Sequence, residues 1–245
     1  MTENKLKAAL NALRKECVKV VPSKTGFNNS MAAEVRFAGP AYAENGDKHL
    51  ICPQCNNKLS FVFQFREKYD KNFKPSGSLF SVFYCFNCMP IGRQSEEIGQ
   101  WAVVEHKNPN PDKFVDGFGV NSKFIPCSCT LNRVFVLPDY ETIETNYPEI
   151  AELCEELDSD DPISVYEDYG LEIGCDMEPS TTLGGFPIWI QGEGSQACPE
   201  AGCTPQFIAQ IDSEEMVDLM WGDAGCLYLF RCKDHKQFSI EMQCF

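Results

Sequence analysis

Cys198-Pro-Glu-Ala-Gly-Cys203 and Cys232-Lys-Asp-His235 decide how this chain is read, because the same plan occurs earlier as Cys52-Pro-Gln-Cys55 and Cys85-Phe-Asn-Cys88. In each set a tight ligand pair is followed by an apolar strand, a loop, a second strand and another tight pair. The spacing agrees as well: Cys55 to Cys85 is 30 positions and Cys203 to Cys232 is 29. Tetrahedral zinc takes four thiolate or imidazole ligands, and a short turn between two of them lets one loop furnish half the shell. The pattern therefore predicts two structural zinc ions, one held by Cys52, Cys55, Cys85 and Cys88, the other by Cys198, Cys203, Cys232 and His235. Four protein ligands leave no open position for a catalytic water, so each ion is expected to hold the fold rather than to do chemistry.

The remaining cysteines are read from their surroundings. Of 14 in all, seven belong to the two sets. Paired cysteines in a chain of this length with no secretory signal favour metal over disulfides. Cys17, Cys127, Cys129, Cys154, Cys175, Cys226 and Cys244 are expected to be small core residues, with Cys127-Ser-Cys129 as an alternative third ligand pair. The N-terminus mixes charges into a helical pattern and has no apolar signal region. No apolar run approaches the ~20 residues of a membrane helix. A soluble cytoplasmic protein is the expectation.

Charge is distributed unevenly. From Val134 to Phe230 there is no Lys, Arg or His, yet the same stretch holds 22 of the 36 acidic residues. The rest of the chain carries all 21 basic residues against 14 acidic ones. Such asymmetry points to a charged partner or to lobes that attract each other.

The fold class expected is α+β, mostly antiparallel sheet: two pseudo-repeats, each with a zinc site, plus an N-terminal helix and an acidic connector. The boundaries expected are 1–30 for the helix and its loop, 31–137 for the first repeat, 138–180 for the connector and 181–245 for the second repeat. Leu6, Leu10, Leu13 and Cys17 share one face of a helix over residues 3–17. Strands are expected at Val35–Phe37, Leu59–Arg66, Leu79–Cys85, Trp101–His106, Arg133–Leu137, Gln206–Ile211, Cys226–Cys232 and Phe238–Phe245. Gln64 and Gln210 fall at matching places in two apolar strands, and Gln243 echoes Gln100. Pro148 to Leu157 reads as a helix with Pro148 in its first turn. Asp212 to Met220 reads as a second short helix, with Asp212 and Glu215 as a capping box. Leu157-Asp-Ser-Asp-Asp-Pro162 lacks the ligand alternation of a calcium loop and is expected to be solvated.

Leu183-Gly-Gly-Phe-Pro-Ile-Trp-Ile-Gln191, Cys198-Pro, Phe207-Ile-Ala-Gln-Ile-Asp212, Trp221-Gly-Asp-Ala-Gly-Cys-Leu-Tyr-Leu-Phe230, Cys-x-x-His and Met242-Gln-Cys-Phe245 together resemble the YwqG-like family of unknown function. That family is in turn similar to the eukaryotic programmed cell death protein 2 and its yeast counterpart. The resemblance is close over 183–245 and looser over 35–106, where Ala38-Gly39-Pro40 stands in place of the double glycine. It implies a duplicated, strand-rich domain with no assigned enzymatic activity. It also implies either escort of a basic ribosomal protein or an immunity role beside toxin genes.

Function follows from the same residues. With only His49, His106 and His235 in the chain, and His235 given to metal, a nucleophile–base pair has no motif to build on. A hydrolase is therefore the weakest reading. RNA association is an alternative, since Lys58, Arg66, Lys68, Lys71 and Lys74 lie among Phe61, Phe63, Phe65 and Phe73. A net charge of −15 opposes approach to a polyanion. The reading preferred is a non-enzymatic, zinc-stabilised module presenting an acidic surface to a basic protein.

Overall fold

The computed structural model describes residues 1–23, 35–44, 46–69, 71–92, 97–110, 118–192, 194, 205–234 and 236–245. In chain order the described elements begin with helix α1 (Thr2–Leu13) and strands β1 (Lys15–Ser23), β2 (Arg36–Phe37), β3 (Ser60–Tyr69), β4 (Pro75–Tyr84), β5 (Trp101–His106) and β6 (Cys127–Val136). Helices α2 (Tyr140–Asn146), α3 (Pro148–Leu157) and α4 (Pro162–Glu172) follow, then strands β7 (Thr182–Leu183), β8 (Gln206–Asp212), β9 (Cys226–Arg231) and β10 (Phe238–Gln243). All named strand pairs are antiparallel. The chain divides into two compact units, one of residues 1–20, 132–212 and 221–245, the other of residues 21–131 and 213–220. Each unit is therefore assembled from separated pieces of chain, not from the consecutive blocks that the sequence suggests.

In the first unit, α1 buries Leu6 and Leu10 against α3 and α4. The helix stops at Leu13, short of the expected Cys17. Lys15-Glu-Cys-Val-Lys-Val-Val is rich in β-branched side chains, which prefer the pleated conformation, and Cys17 and Val20 point inward from β1. Helix α2 starts where the Asp139 carboxylate accepts the Thr142 N–H at 2.8 Å, and both α3 and α4 carry proline in the first turn. Their apolar faces bury Ile143, Ile150, Cys154 and Tyr166 in one core with Leu137 and Cys175. Strands run in the order β1-β7-β8-β9-β10. Before β8 the chain turns through Gly184 and Gly185, both in the left-handed region, and a Cβ on Gly185 would lie 2.6 Å from Val136. Only glycine fits that approach.

In the second unit the order is β6-β2-β3-β4-β5. Leu59 to Phe65 is buried as the apolar run requires, and Gln64 is fully buried within it. The stretch expected to be a helix after Asp212 is instead one turn of 3-10 helix, Glu215–Val217, with Asp218 left-handed at its end. Asp212 itself remains in β8, paired with Cys226, and the N-cap position of the turn falls on Glu214. Ile125 N–H donates to Val217 O at 2.8 Å and holds this turn in place. Among the described residues no helix is long and apolar enough to cross a membrane.

Candidate metal centre

Two short loops build the centre. After Cys52 the chain turns so that Asn56 N–H donates to Cys52 O at 2.9 Å, while Cys52 N–H donates to Asn57 O at 2.8 Å. Asn56 takes a left-handed φ of +58, a conformation that asparagine tolerates better than most residues. Strand β4 delivers Cys85, whose N–H donates to Gln100 O at 2.9 Å. The second loop then closes with Met89 N–H donating to Cys85 O, also at 2.9 Å. Met89 has φ +52. In each loop the bond from the residue after the second cysteine curls the backbone so that both thiols face one point.

The sulfurs converge as tetrahedral coordination requires. Cys52 and Cys88 Sγ lie 3.7 Å apart, Cys55 and Cys85 Sγ 3.5 Å apart, and all four lie within 4.8 Å of one another. Four thiolates about 2.3 Å from a tetrahedral ion stand about 3.8 Å from each other, so the spacing fits a metal ion. The separations also exceed the ~2.05 Å of a disulfide bond, and all four cysteines are free. Leu50, Leu59, Phe61 and Phe83 pack around the cluster, with Cys52 and Cys85 buried and Cys55 and Cys88 half-buried.

Electrostatics divide the ligands. The Asn57 backbone N–H stabilises the Cys55 thiolate and holds that thiol down, to about 7. Desolvation pushes Cys88 the other way, up to about 12, and also raises Cys85. Crowded thiolates repel one another, and a bound cation is what lets all four ionise together.

The other expected ligands are placed as follows. Cys232 is buried at the end of β9, whereas Cys198, Cys203 and His235 lie outside the described residues. Cys127 and Cys129 sit on β6, where the Cys127 thiol donates to Met216 O and desolvation pushes Cys129 above the usual thiol range. Neither belongs to a metal-binding cluster among the described residues. Cys154 and Cys175 are core residues. His49 stacks on Phe118, ring centroids 5.0 Å apart. His106 packs edge-on against Tyr42, and burial lowers its pKa. A cavity of about 220 Å³ beside the second cysteine loop is lined by Lys58, Lys123, Asn57, Asn87 and Phe86. The sequence reading missed it because Asn121 and Lys123 reach it from far along the chain.

Fold and site together define an antiparallel-sheet protein with a four-cysteine cluster able to hold a metal ion. A family profile described as a domain of unknown function, DUF1963, matches residues 35–237, and the chain belongs to that family. No curated protein matches the chain.

Proposed function

We propose that the protein is a non-enzymatic binding module, stiffened by zinc, whose acidic surface receives a basic protein. The carrying observation is where the carboxylates stand. Of the 15 acidic residues between Asp139 and Glu178, all but Asp139 and Asp176 are exposed, while the apolar faces of α2, α3 and α4 anchor the segment to a packed core. Lys7 pairs with Glu172 and Lys19 with Asp176. Between Val134 and Phe230 the chain has no basic residue of its own. A rigid surface of one sign speeds encounter with the opposite sign and rejects like-charged partners.

The scaffold of this reading is one zinc-bearing sheet used twice, as the likeness to YwqG-like proteins implies. Support comes from register. Arg36 pairs with Gln64 and Phe37 with Phe63; Thr182 pairs with Gln210 and Leu183 with Ala209, each residue 146 positions after its counterpart. Strands β3 and β8 each slip by one residue, at Val62 and Ile208, and those carbonyls accept from Ala38 and Gly184. Ala38-Gly39 and Gly184-Gly185 all have left-handed φ. Gln64 Oε1 accepts from Tyr42 N–H and Gln210 Oε1 from Ile188 N–H, so even the buried glutamines serve the same turn. This correspondence supports a second zinc site with Cys198, Cys203, Cys232 and His235 as ligands.

RNA association in ribosome maturation is the second reading, favoured by Lys58 and Lys123 beside the cysteine loop. Against it, Phe61, Phe63 and Phe65 are buried in β3 and offer no stacking platform. Affinity capture from lysate at low and high salt tests the choice. A basic protein that survives nuclease treatment supports the first reading, and loss of all partners on nuclease treatment supports the second.

A further inference from the structure

Loading the four-cysteine cluster creates a charge that its ligands do not balance. Four thiolates around a divalent ion leave two negative charges on the centre, in a chain whose net charge is already −15. Backbone dipoles meet part of this, since the Asn57 N–H bonds to the Cys55 sulfur and the Asn87 and Cys88 N–H groups bond to the Cys85 sulfur. A dipole offsets less than a full charge does, and two full charges stand beside the same wall.

The cavity of about 220 Å³ next to the second cysteine loop brings Cys85 together with Lys58 and Lys123. Backbone sets both positions. A bridge pairs Lys58 with Ile51, the residue before Cys52, so Lys58 closes the base of the first loop. Lys123 N–H donates to Asn121 Oδ1 at 3.0 Å, and Asn121 Nδ2 donates in turn to Ser60 Oγ at 2.8 Å. Ser60 pairs across the sheet with Tyr84, the residue before Cys85. A lysine from far along the chain is thereby tied to the strand end that delivers a ligand.

Surface lysines are ordinary, but the company of these two is not. Acidic residues outnumber basic ones in this chain by 36 to 21, yet among the described residues no carboxylate lines the cavity. Neither lysine forms an ion pair with a described carboxylate. Both side chains are exposed, and a lysine stem is long and flexible enough for its ammonium to turn toward the sulfurs.

We infer that Lys58 and Lys123 are the counter-charges of the loaded metal centre and raise its affinity for the ion by offsetting its excess negative charge. The inference rests on the zinc reading of the cluster and gives two residues outside the ligand set a part in holding the metal. An effect of this kind depends on charge rather than shape, and salt weakens it.

The test measures zinc affinity of the full chain by competition with a chromophoric chelator. At low salt, Lys58→Gln and Lys123→Gln should each weaken binding several-fold, and the double variant about tenfold. Arginine at both positions should bind like the parent. In about 1 M salt, where the Debye length is roughly 3 Å, the double glutamine variant and the parent should converge. Lys68→Gln removes an exposed charge at the far end of β3 and should leave the affinity unchanged. Zinc held elsewhere in the chain would appear as a phase common to all variants. Parent affinity in the double glutamine variant overturns the inference, as does a loss that arginine fails to restore, that persists in high salt, or that Lys68→Gln reproduces. Failure of the zinc reading looks different: the cluster of the unsubstituted chain would then take up no zinc.

Discussion

Lys236 N–H donates to the carbonyl of Cys232 at 3.0 Å, as Asn56 does to Cys52 and Met89 to Cys85, both at 2.9 Å. Lys236 also shares their left-handed backbone, with φ +58. Cys232 N–H donates to Gln237 O at 2.8 Å, repeating the bond from Cys85 to Gln100. A lysine held left-handed costs roughly 1–2 kcal/mol, and Asn56 and Met89 take the same backbone where they close the loops of the four-cysteine cluster. Two zinc ions per chain are therefore expected from elemental analysis of protein purified without added metal. Cys232→Ser should lower the content to one. A value of one for the unsubstituted chain refutes the second site.

Chelation is expected to unfold the second unit. Structural zinc contributes on the order of 10 kcal/mol to small domains, comparable with the 5–15 kcal/mol that holds a whole domain together. Cys85→Ala should do the same, since it removes a ligand from the centre of the cluster and leaves a void among Leu59, Phe61 and Phe83. Loss of near-ultraviolet circular dichroism on adding a strong chelator, recovered with zinc, is the measurement. An unchanged spectrum after complete metal removal would show that packing alone suffices.

Gln64 and Gln210 are buried at 0% and 1% exposure, each accepting a backbone N–H from the turn beside it. Gln210 also donates to Ser180 O at 3.2 Å. Leucine fits either space but strands a buried N–H, at a cost of about 1–3 kcal/mol. Gln64→Leu and Gln210→Leu should each shift the urea midpoint down by a corresponding amount with m unchanged.

Those two glutamines were legible in the sequence because a polar residue in an apolar strand has few explanations. The cysteine loops around Cys52 and Cys85 were legible because ligand pairs three residues apart are local. Less local features escaped. Gln243 reads like an echo of Gln100, but the bonds to Cys85 and Cys232 match Gln100 with Gln237. Gln243 instead accepts from Ile190 and Gln191 N–H. Strand β1 was hidden because Cys17 continues the spacing of Leu6, Leu10 and Leu13, and only valine content argues for a strand. Helix α4 carries Gly170 and a mixed apolar pattern, so its periodicity is weak. A cavity of about 290 Å³ in the first unit draws on residues 137–140, 166–167, 177, 179, 188–190 and 245, a grouping that only the folded chain brings together.

Asp161 caps α4, accepting from Ser164 N–H at 3.1 Å and Ser164 O–H at 2.7 Å. These bonds favour the carboxylate and lower its pKa below the ordinary 3.8. A depressed acid stabilises the fold above its unfolded pKa, and that contribution disappears as pH falls through the folded value. Asp161→Ala should therefore lower the melting temperature at pH 7, and the gap from the parent should close below about pH 3.8. Asp161→Asn should behave like the parent at neutral pH, because asparagine caps equally well.

The partner's association rate carries the last prediction. Glu155, Glu156, Asp158, Asp160 and Asp161 are exposed along the end of α3 and the turn into α4. Asp158 Oδ1 accepts from Asp160 N–H at 2.9 Å, so amide replacements at 158 and 161 keep the acceptors that shape this turn. The five-fold Asn/Gln variant should then retain its zinc and nearly all of its melting temperature, while association with a basic partner slows several-fold at low salt. The parent's rate should fall steeply as added salt shortens the Debye length toward about 8 Å, and the variant's rate should fall less. Stopped-flow mixing at several ionic strengths measures both slopes. If parent and variant share one rate and one slope, the acidic surface serves solubility alone; if the variant melts early with its rate intact, these carboxylates support the fold instead.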